Sequence, residues 1–279
     1  MRTLRSLERS YKKSSDMVSS AQRAYVSAYI TKMKRVRLAQ ILILVIFLGV
    51  WESATRVGII DPFVFSSPSR VIECIYTMGV DGSLFRHIGI TLLETFISFT
   101  LVIILGLLIA IILWWNDSVS KVLEPYLVIL NSLPKSALAP VFIVWLGNNM
   151  KTIIIAAISV AVFGSIITLY TDFKEVEEDK IKLIQTLGGT KKDILFRVVI
   201  PSNIPSIISV MKVNIGLSLV GVIIGEFLAA KAGLGYLIIY GSQVFKLDYV
   251  IMSIVILCTV AALLYKILGY FEKKYSGSC

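Results

Sequence analysis

Charge is scarce in this chain, and so are the side chains that usually carry chemistry. Only 16% of its 279 residues are Asp, Glu, Lys or Arg, 56% are hydrophobic, and the mean hydropathy is +0.82. That balance excludes an ordinary soluble domain. The one histidine, His87, excludes a multi-histidine metal site and argues against catalysis through imidazole. The cysteines number three, Cys74, Cys258 and Cys279. An odd count at spacings that match no metal site supports no disulfide framework. No G-x-x-x-x-G-K-[ST] run occurs, so the chain has no phosphate cradle of its own. Gly188-Gly189-Thr190-Lys191 is glycine-rich but lacks that spacing. A cleaved signal peptide is not expected, because the charged stretch before the first apolar run is too long and no small-residue cleavage site follows it.

What the chain does have is long apolar runs, and roughly 20 residues suffice to cross about 30 Å of hydrocarbon. The pattern predicts an all-α membrane protein with six spans, at about 38–57, 88–115, 122–146, 152–170, 204–230 and 249–270. The third is unusual. It carries Pro125, Pro134 and Pro140, with Asn131, Ser132 and Lys135 between them, and prolines free carbonyls that a neighbour or a wet cavity must satisfy. Between the first two spans, residues 69–78 read as one short helix capped by Ser67 with Pro68 in its first turn. Residues 230–248 are punctuated by Gly233, Gly235 and Gly241 and have room for a short interfacial helix.

The formal net charge of +10 is concentrated at one end. Residues 1–37 hold ten Lys and Arg against Glu8 and Asp16. This reads as a basic juxtamembrane tail, weakly ordered up to Lys34, rather than as a nucleic-acid surface. With that tail inside and six spans, both termini are cytoplasmic, in a multi-pass protein of the cell membrane. The segments left outside carry only Arg70, Arg86, Lys151, Lys231 and Lys246. The expected organisation is a basic tail over 1–37, a transmembrane domain over 38–271 containing a charged loop at 174–203, and a cytoplasmic tail over 272–279.

The chain is organised around that loop. Val176, Ile181, Leu183, Ile184 and Leu187 recur at helical spacing. Gly188-Gly189 reads as a helix C-cap, and Thr190 with Asp193 as a capping box opening a second short helix. Pro201 and Pro205 mark the passage into the next span. A loop with no partner has no need of an apolar helical face, so this one reads as a protein-docking element.

Charged and polar groups inside the spans are costly, about 2.5 to 3.5 kcal/mol each for the charged ones, so each needs a reason. Glu226 and Glu94 read either as polar groups of a gate or pathway or as interfacial carboxylates reaching water or an arginine. Asn131, Ser132 and Lys135 at the broken third span suit an anionic solute; the alternative is a lysine paired with an acid of another span. Asn214 and Ser218 share a helix face and either line a pathway or bond a neighbouring helix. Gly221 and Gly225 form G-x-x-x-G, a helix-packing motif. Glu52 and Arg56 are spaced for an i,i+4 pair. Trp51, Trp114, Trp115, Trp145 and Tyr170 read as interface anchors.

The pattern resembles the permease subunit of binding-protein-dependent ABC importers. That family's cytoplasmic signature has a Glu-Ala-Ala triplet, a glycine four residues on, and an Ile-x-Leu-Pro-like end. Gly188 matches the glycine and Val198-Val199-Ile200-Pro201 the end, while Lys182-Leu183-Ile184 replaces the triplet and removes its acid. Trp51-Glu52, Ser67-Pro68-Ser69, Asn131-Ser132-Leu133-Pro134, Val144-Trp145-Leu146-Gly147, Gly225-Glu226 and Gly233-Leu234-Gly235-Tyr236 are similar to the sulfonate, taurine and nitrate branch. The resemblance implies a six-helix type I importer permease fold with a cytoplasmic coupling-helix pair. It implies that Lys182, Leu183, Ile184, Leu187, Gly188, Gly189, Val198, Ile200 and Pro201 contact an ATPase. Asn131, Ser132, Lys135, Asn214, Ser218 and Glu226 are the candidates for the pathway. The implied partners are two ATPase subunits that carry ATP and magnesium, a second permease copy in a homodimer, an extracytoplasmic binding protein and the bilayer. No cofactor is expected on this chain, nor any nucleic-acid partner. The solute is a sulfonate, taurine, nitrate or similar; the alternatives are a thiamine-precursor pyrimidine in the same type of importer, or a secondary transporter driven by an ion gradient.

Overall fold

The computed structural model describes residues 20–276, with side chains from 25 to 270. The part of the basic tail before Ser20, the side chains of Arg23, Lys273 and Lys274, and residues 277–279 with Cys279 lie outside the described residues. The chain divides into two compact units, Met1–Arg70 and Val71–Cys279.

In the first unit, α1 (Ser20–Arg56) is one unbroken helix. The expectation of weak order up to Lys34 is therefore corrected: the helix begins at Ser20, well before the apolar run. No glycine or proline precedes Gly49, and the stretch is rich in Ala, Gln, Lys and Arg, all good helix formers. The run from Ile41 to Phe47 is apolar at every position, and so on every side of the helix, the pattern of a membrane span. After α1, Asp61 caps the one-turn α2 (Pro62–Phe65) by accepting the Phe63 N–H. Ser67 caps α3 (Pro68–Val80), as expected, with its hydroxyl accepting the Arg70 N–H. Glu52 pairs with Arg56 at 2.8 Å, and it also accepts the Ser69 N–H at 3.1 Å and the Ser69 hydroxyl. A carboxylate thus sits at the N-terminus of α3, where helix dipole and free N–H groups favour it.

The second unit is built on α7 (Met150–Lys174). It packs most extensively against α4 (Ser83–Trp115) and α11 (Ile204–Ala229). Its inward face is small: Ala156, Ala157, Ala161 and Ser165 are all buried. That lets α11 approach closely. A Cβ on Gly221 would lie 2.6 Å from the Ala157 Cα, and one on Gly225 would lie 2.9 Å from the Ile153 Cα. The G-x-x-x-G motif is thus used inside the chain. In lipid, where apolar burial alone drives little association, such close backbone packing holds helices together.

The third predicted span is two helices, α5 (Asp117–Ser132) and α6 (Lys135–Leu146), which meet at 96° around Leu133-Pro134. A straight span over 122–146 is therefore corrected. The pair still traverses the bundle. Ser120 near its start bonds the Tyr170 hydroxyl, whereas Ile143 near its end packs beside Ile153 and Ala157. Those contacts lie about 25 Å apart along α7, at 1.5 Å rise per residue. With α13 (Leu247–Ser276) this makes five crossings in the second unit, and α1 supplies the sixth apolar helix. Tyr170 is buried, so it is a bundle contact and not an interface anchor.

Connections at the two ends of the bundle differ. At one end Gly233 leads into the short helix α12 (Leu234–Gln243), as the glycine-punctuated stretch predicted. At the other lies the charged loop. It forms α8 (Glu178–Thr186), then α9 (Lys191–Ile194), a π-turn over Leu195–Val199, and α10 (Ile200–Ser202). Asn203 separates α10 from α11. Pro201 does not end this run; the wider π-turn carries the helical path through it. The end of α13 returns to the loop side, where Lys212 near the start of α11 sits over the Tyr265 ring.

Enlarging Gly221 to Val is expected to cost about 1–3 kcal/mol by overpacking against the Ala157 backbone. Thermal unfolding in detergent checks it; an unchanged midpoint contradicts close α7–α11 packing as a source of stability.

Candidate coupling loop and polar sites

The loop is rooted and capped before it offers any surface. Leu187 N–H bonds Leu183, Gly188 N–H bonds the Gln185 carbonyl at 3.0 Å, and Gly189 N–H bonds the Ile184 carbonyl at 2.9 Å. This is a Schellman turn, with Gly188 at φ +79° in the left-handed region that only glycine enters cheaply. The expected C-cap is thus present. Gly189 is constrained differently, since a Cβ there would run into Ile184. The capping box is also present: Thr190 N–H bonds the Asp193 carboxylate at 3.0 Å, and Asp193 N–H bonds the Thr190 hydroxyl. The Thr190 hydroxyl, donating to the Asp193 carboxylate at 2.6 Å, and then the Thr190 N–H hold that carboxyl below the usual carboxylate range.

The apolar face of the loop splits in two. Ile194, Leu195 and Val199 are buried in the core that α4 and α7 form with Ala110, Leu113, Ile166, Leu169 and Phe173, and Val176, Ile181 and Ile184 pack against it. Leu183 (60% exposed), Leu187 (76%) and Phe196 (58%) point away. Of the coupling candidates, Lys182, Leu183, Leu187, Gly188 and Pro201 are exposed. Ile184, Gly189 and Ile200 are half-buried, and Val198 is buried in the chain. Lys182 pairs with Glu178 at 2.9 Å. The sequence reading missed Phe196. Its neighbours Leu195, Val198 and Val199 face inward, and alternation of buried and exposed positions through the π-turn cannot be read from a 3.6-residue period.

The six pathway candidates fall into two groups. Asn131 and Ser132 are exposed at the break between α5 and α6. Lys135, half-buried beside them, is satisfied by its own chain: its ammonium donates to the Leu130 carbonyl at 3.0 Å and to the Asn131 carbonyl. The cation therefore closes the C-terminal end of α5, answering the carbonyls that Pro134 leaves open; among the described residues it pairs with no acid of another span. Asn214, Ser218 and Glu226 form the second group. They are at most 2% exposed and turn into the bundle.

Glu226 has a donor on each of its oxygens. Its Oε1 accepts the Thr91 hydroxyl at 2.7 Å, and its Oε2 accepts the Gly235 N–H at 2.5 Å. Thr91 in turn accepts the Leu234 N–H at 2.8 Å, and His87 Nδ1 accepts the Gly233 N–H at 2.9 Å. The carboxylate thus caps α12 from the end of α11 and ties both to α4. Gly233 (φ +127°) and Gly235 are glycines because a Cβ on either would meet this carboxylate. Glu94 lies beside Glu226, one turn along α4 from Thr91; its Oε2 and the side chains of Ser98, Asn214, Ser218 and Ser253 each have a buried atom without a protein partner. Among the described residues, no group of three or more His, Cys, Asp or Glu could hold a metal ion.

Comparison with known proteins agrees with this architecture. Residues 102–277 match the family described as binding-protein-dependent transport system inner membrane component. The formylaminopyrimidine transport permease protein ThiX of Halalkalibacterium halodurans is 31% identical over 67% of this chain and 74% of its own length. The taurine transport system permease protein TauC of Escherichia coli is 23% identical over 79% of this chain and 82% of its own. The putative aliphatic sulfonates transport permease protein SsuC of Bacillus subtilis is 23% identical over 82% and 83%. Among solved structures, an inward-facing MetNI methionine ABC transporter aligns over 70% of this chain and 97% of its own, at TM-score 0.61 and 17% identity. At that identity the likeness shows the fold, which is that of type I ABC importer permeases.

Two measurements probe these sites. Glu226→Ala leaves the Gly235 N–H and Thr91 hydroxyl without their acceptor and is expected to cost about 1–3 kcal/mol, read as a lower melting point and faster amide exchange at residues 233–236. For Asp193, the folded carboxyl lies below its unfolded value of about 4, so its cap is fully effective above that pH and is lost as pH falls through the folded value. Amide exchange at Thr190 and Asp193, corrected for intrinsic rates, is expected to rise on acidification in the parent chain and to be raised already at neutral pH in Asp193→Ala.

Proposed function

This chain belongs to the inner membrane component family of binding-protein-dependent transport systems, the permease subunits of ABC importers, and we propose that its 174–203 loop docks a separate ATPase subunit while its spans carry a small polar or anionic solute. The observation that carries the docking reading is the divided apolar face of the loop. Ile181, Ile184, Ile194, Leu195 and Val199 root it in the bundle, while Leu183, Leu187 and Phe196 stay exposed on a segment flanked by charge. Burying each of these three under a partner is worth about 1.5–3 kcal/mol.

In this reading the loop end of the bundle faces the cytoplasm. The positive-inside rule assigns the basic stretch at Lys32, Lys34, Arg35 and Arg37 to the cytoplasm, and with six spans both termini lie there. ATP and magnesium belong to the partner, which hydrolyses the ATP. Two ATPase subunits, a homodimer of this permease and an extracytoplasmic binding protein complete the assembly. Asn131 and Ser132, exposed at the α5–α6 break, are the side chains proposed for the pathway. Glu226 ties α11 and α12 to α4 within one chain, whereas Asn214 and Ser218, each with a buried polar atom that has no partner among the described residues, stay candidates for the pathway. The proposed solute is a sulfonate or taurine, in line with the taurine and sulfonate permeases among the relatives. A pyrimidine is the second reading, favoured by the 31% identity to a formylaminopyrimidine permease. The ion-gradient alternative gives way to the family.

The test is uptake into proteoliposomes that contain the permease with its ATPase. Taurine, an alkanesulfonate and formylaminopyrimidine are supplied in turn, each with its binding protein. ATP-dependent uptake of one of them identifies the solute class; uptake on an ion gradient without ATPase overturns the reading. Leu187→Asp is expected to weaken ATPase binding about tenfold or more, the effect of losing a contact worth at least 1.4 kcal/mol, with the melting point of the isolated permease unchanged. Gly188→Val is expected to distort the turn and uncouple uptake from hydrolysis.

A further inference from the structure

Covalent connection joins the loop to α7 and α11 only. Motion imposed at the loop reaches α4 and α5 through side-chain contacts. Most of those are apolar and without direction: Ile194 and Leu195 against Ala110 and Leu113. One is polar and directed. The Lys191 ammonium donates to the Trp115 carbonyl at 2.5 Å and lies 5.6 and 5.7 Å from the centres of the Trp114 and Trp115 rings.

The place of that contact matters. Trp115 is the last residue of α4, and its carbonyl is one of those a helix end leaves without an intrahelical partner. A cation there meets the negative end of the helix dipole and the faces of two indoles together. Asn116, the next residue, caps α5 by accepting the Ser118 and Val119 N–H groups. Trp115-Asn116 is therefore the joint of α4 and α5, and Asp117 beyond it, paired first with Lys121, also lies in the field of Lys174 and, more weakly, of Lys191. At its other end, Lys191 is the first residue of α9, directly after the Thr190–Asp193 box and the Gly188-Gly189 turn. Both ends of the side chain are held.

We propose that Lys191 is the strut that makes the α4–α5 joint move with the coupling loop, a positioning residue for transport that rests on the docking reading above. Without it, the loop slides on its apolar contacts, and ATPase movement is delivered to α7 and α11 alone. An ammonium or guanidinium on a long stem fulfils the role; an apolar side chain of the same length does not.

The experiment measures the distance between spin labels at Ile112 on α4 and Lys180 on α8, both exposed. The background lacks Cys74, Cys258 and Cys279. The permease is taken alone and in complex with its ATPase, with and without trapping by ATP and vanadate. With Lys191 present, the distribution is narrow and does not shift on trapping, because loop and joint move together. Lys191→Met broadens it in the permease alone and shifts it on trapping, while ATPase binding persists; Lys191→Arg restores the parent behaviour. A Lys191→Met distribution that matches the parent in every state overturns the strut and leaves the docking reading standing. Failure of the ATPase to bind the parent permease overturns the docking reading and the strut with it.

Discussion

The close approach of α11 to α7 is the constraint on which the rest of this structure depends. Gly221 and Gly225 let the backbone of α11 lie on Ala157 and Ile153, and the small buried face of α7 accepts α4 on its other side through Gly106 and Ser165. In a bilayer the surroundings are as apolar as the core, so burial of leucine supplies little force between helices. Contact area and close backbone packing supply it instead. Many bulky side chains of α4 face outward as well: Leu93, Phe96, Ile104, Leu108 and Ile112 are exposed.

That tight centre makes the two ends of the bundle comparable parts of one body. At one end Glu226, Thr91 and His87 satisfy the N–H groups of the Gly233–Gly235 turn. A carboxylate buried in a membrane is expensive unless its oxygens have donors, and here those are the Thr91 hydroxyl and the Gly235 N–H, which themselves need an acceptor. At the other end the charged loop satisfies its own backbone groups through the Schellman turn and the capping box, and it inserts Ile194, Leu195 and Val199 into the same core that α4 and α7 share. Further polar links, Ser120 to Tyr170 and Ser206 to Asp172, join α5 and α11 to α7 near that end. The loop is thus held to the bundle by apolar side chains as well as by its own chain connections.

The broken pair α5–α6 is the exception to this rigidity. Pro134 removes a backbone donor and turns the chain by 96°, and Lys135 folds back to cover the carbonyls left behind. The lysine looked like a ligand for an anion because a charge at that depth calls for a partner. Its partner is the neighbouring backbone, a contact that requires the bend before it exists.

By itself, the sequence determined the helical membrane class, the approximate limits of most spans, the short helices at Ser67-Pro68 and after Gly233, and the turn and cap at Gly188 to Asp193. Each of these follows from local physics: hydrocarbon thickness, the left-handed conformation of glycine, and the reach of Thr and Asp to backbone three residues away. The order of polar residues also marked where function or packing had to be explained. Only the tertiary structure decided which explanation held. Glu226 reads the same in the sequence whether it faces a pathway or a neighbouring helix, and the fold brings it to Thr91 of α4 and to the Gly235 N–H. Leu183 and Ile184 are adjacent and equally apolar, yet one is exposed and the other packs inward, because the angle at which α8 lies on the bundle is set by Ile194, Leu195 and Val199. Lys191 and Trp115 are far apart in the chain, and no local pattern announces a bond that forms only when the coupling loop lies under the end of α4.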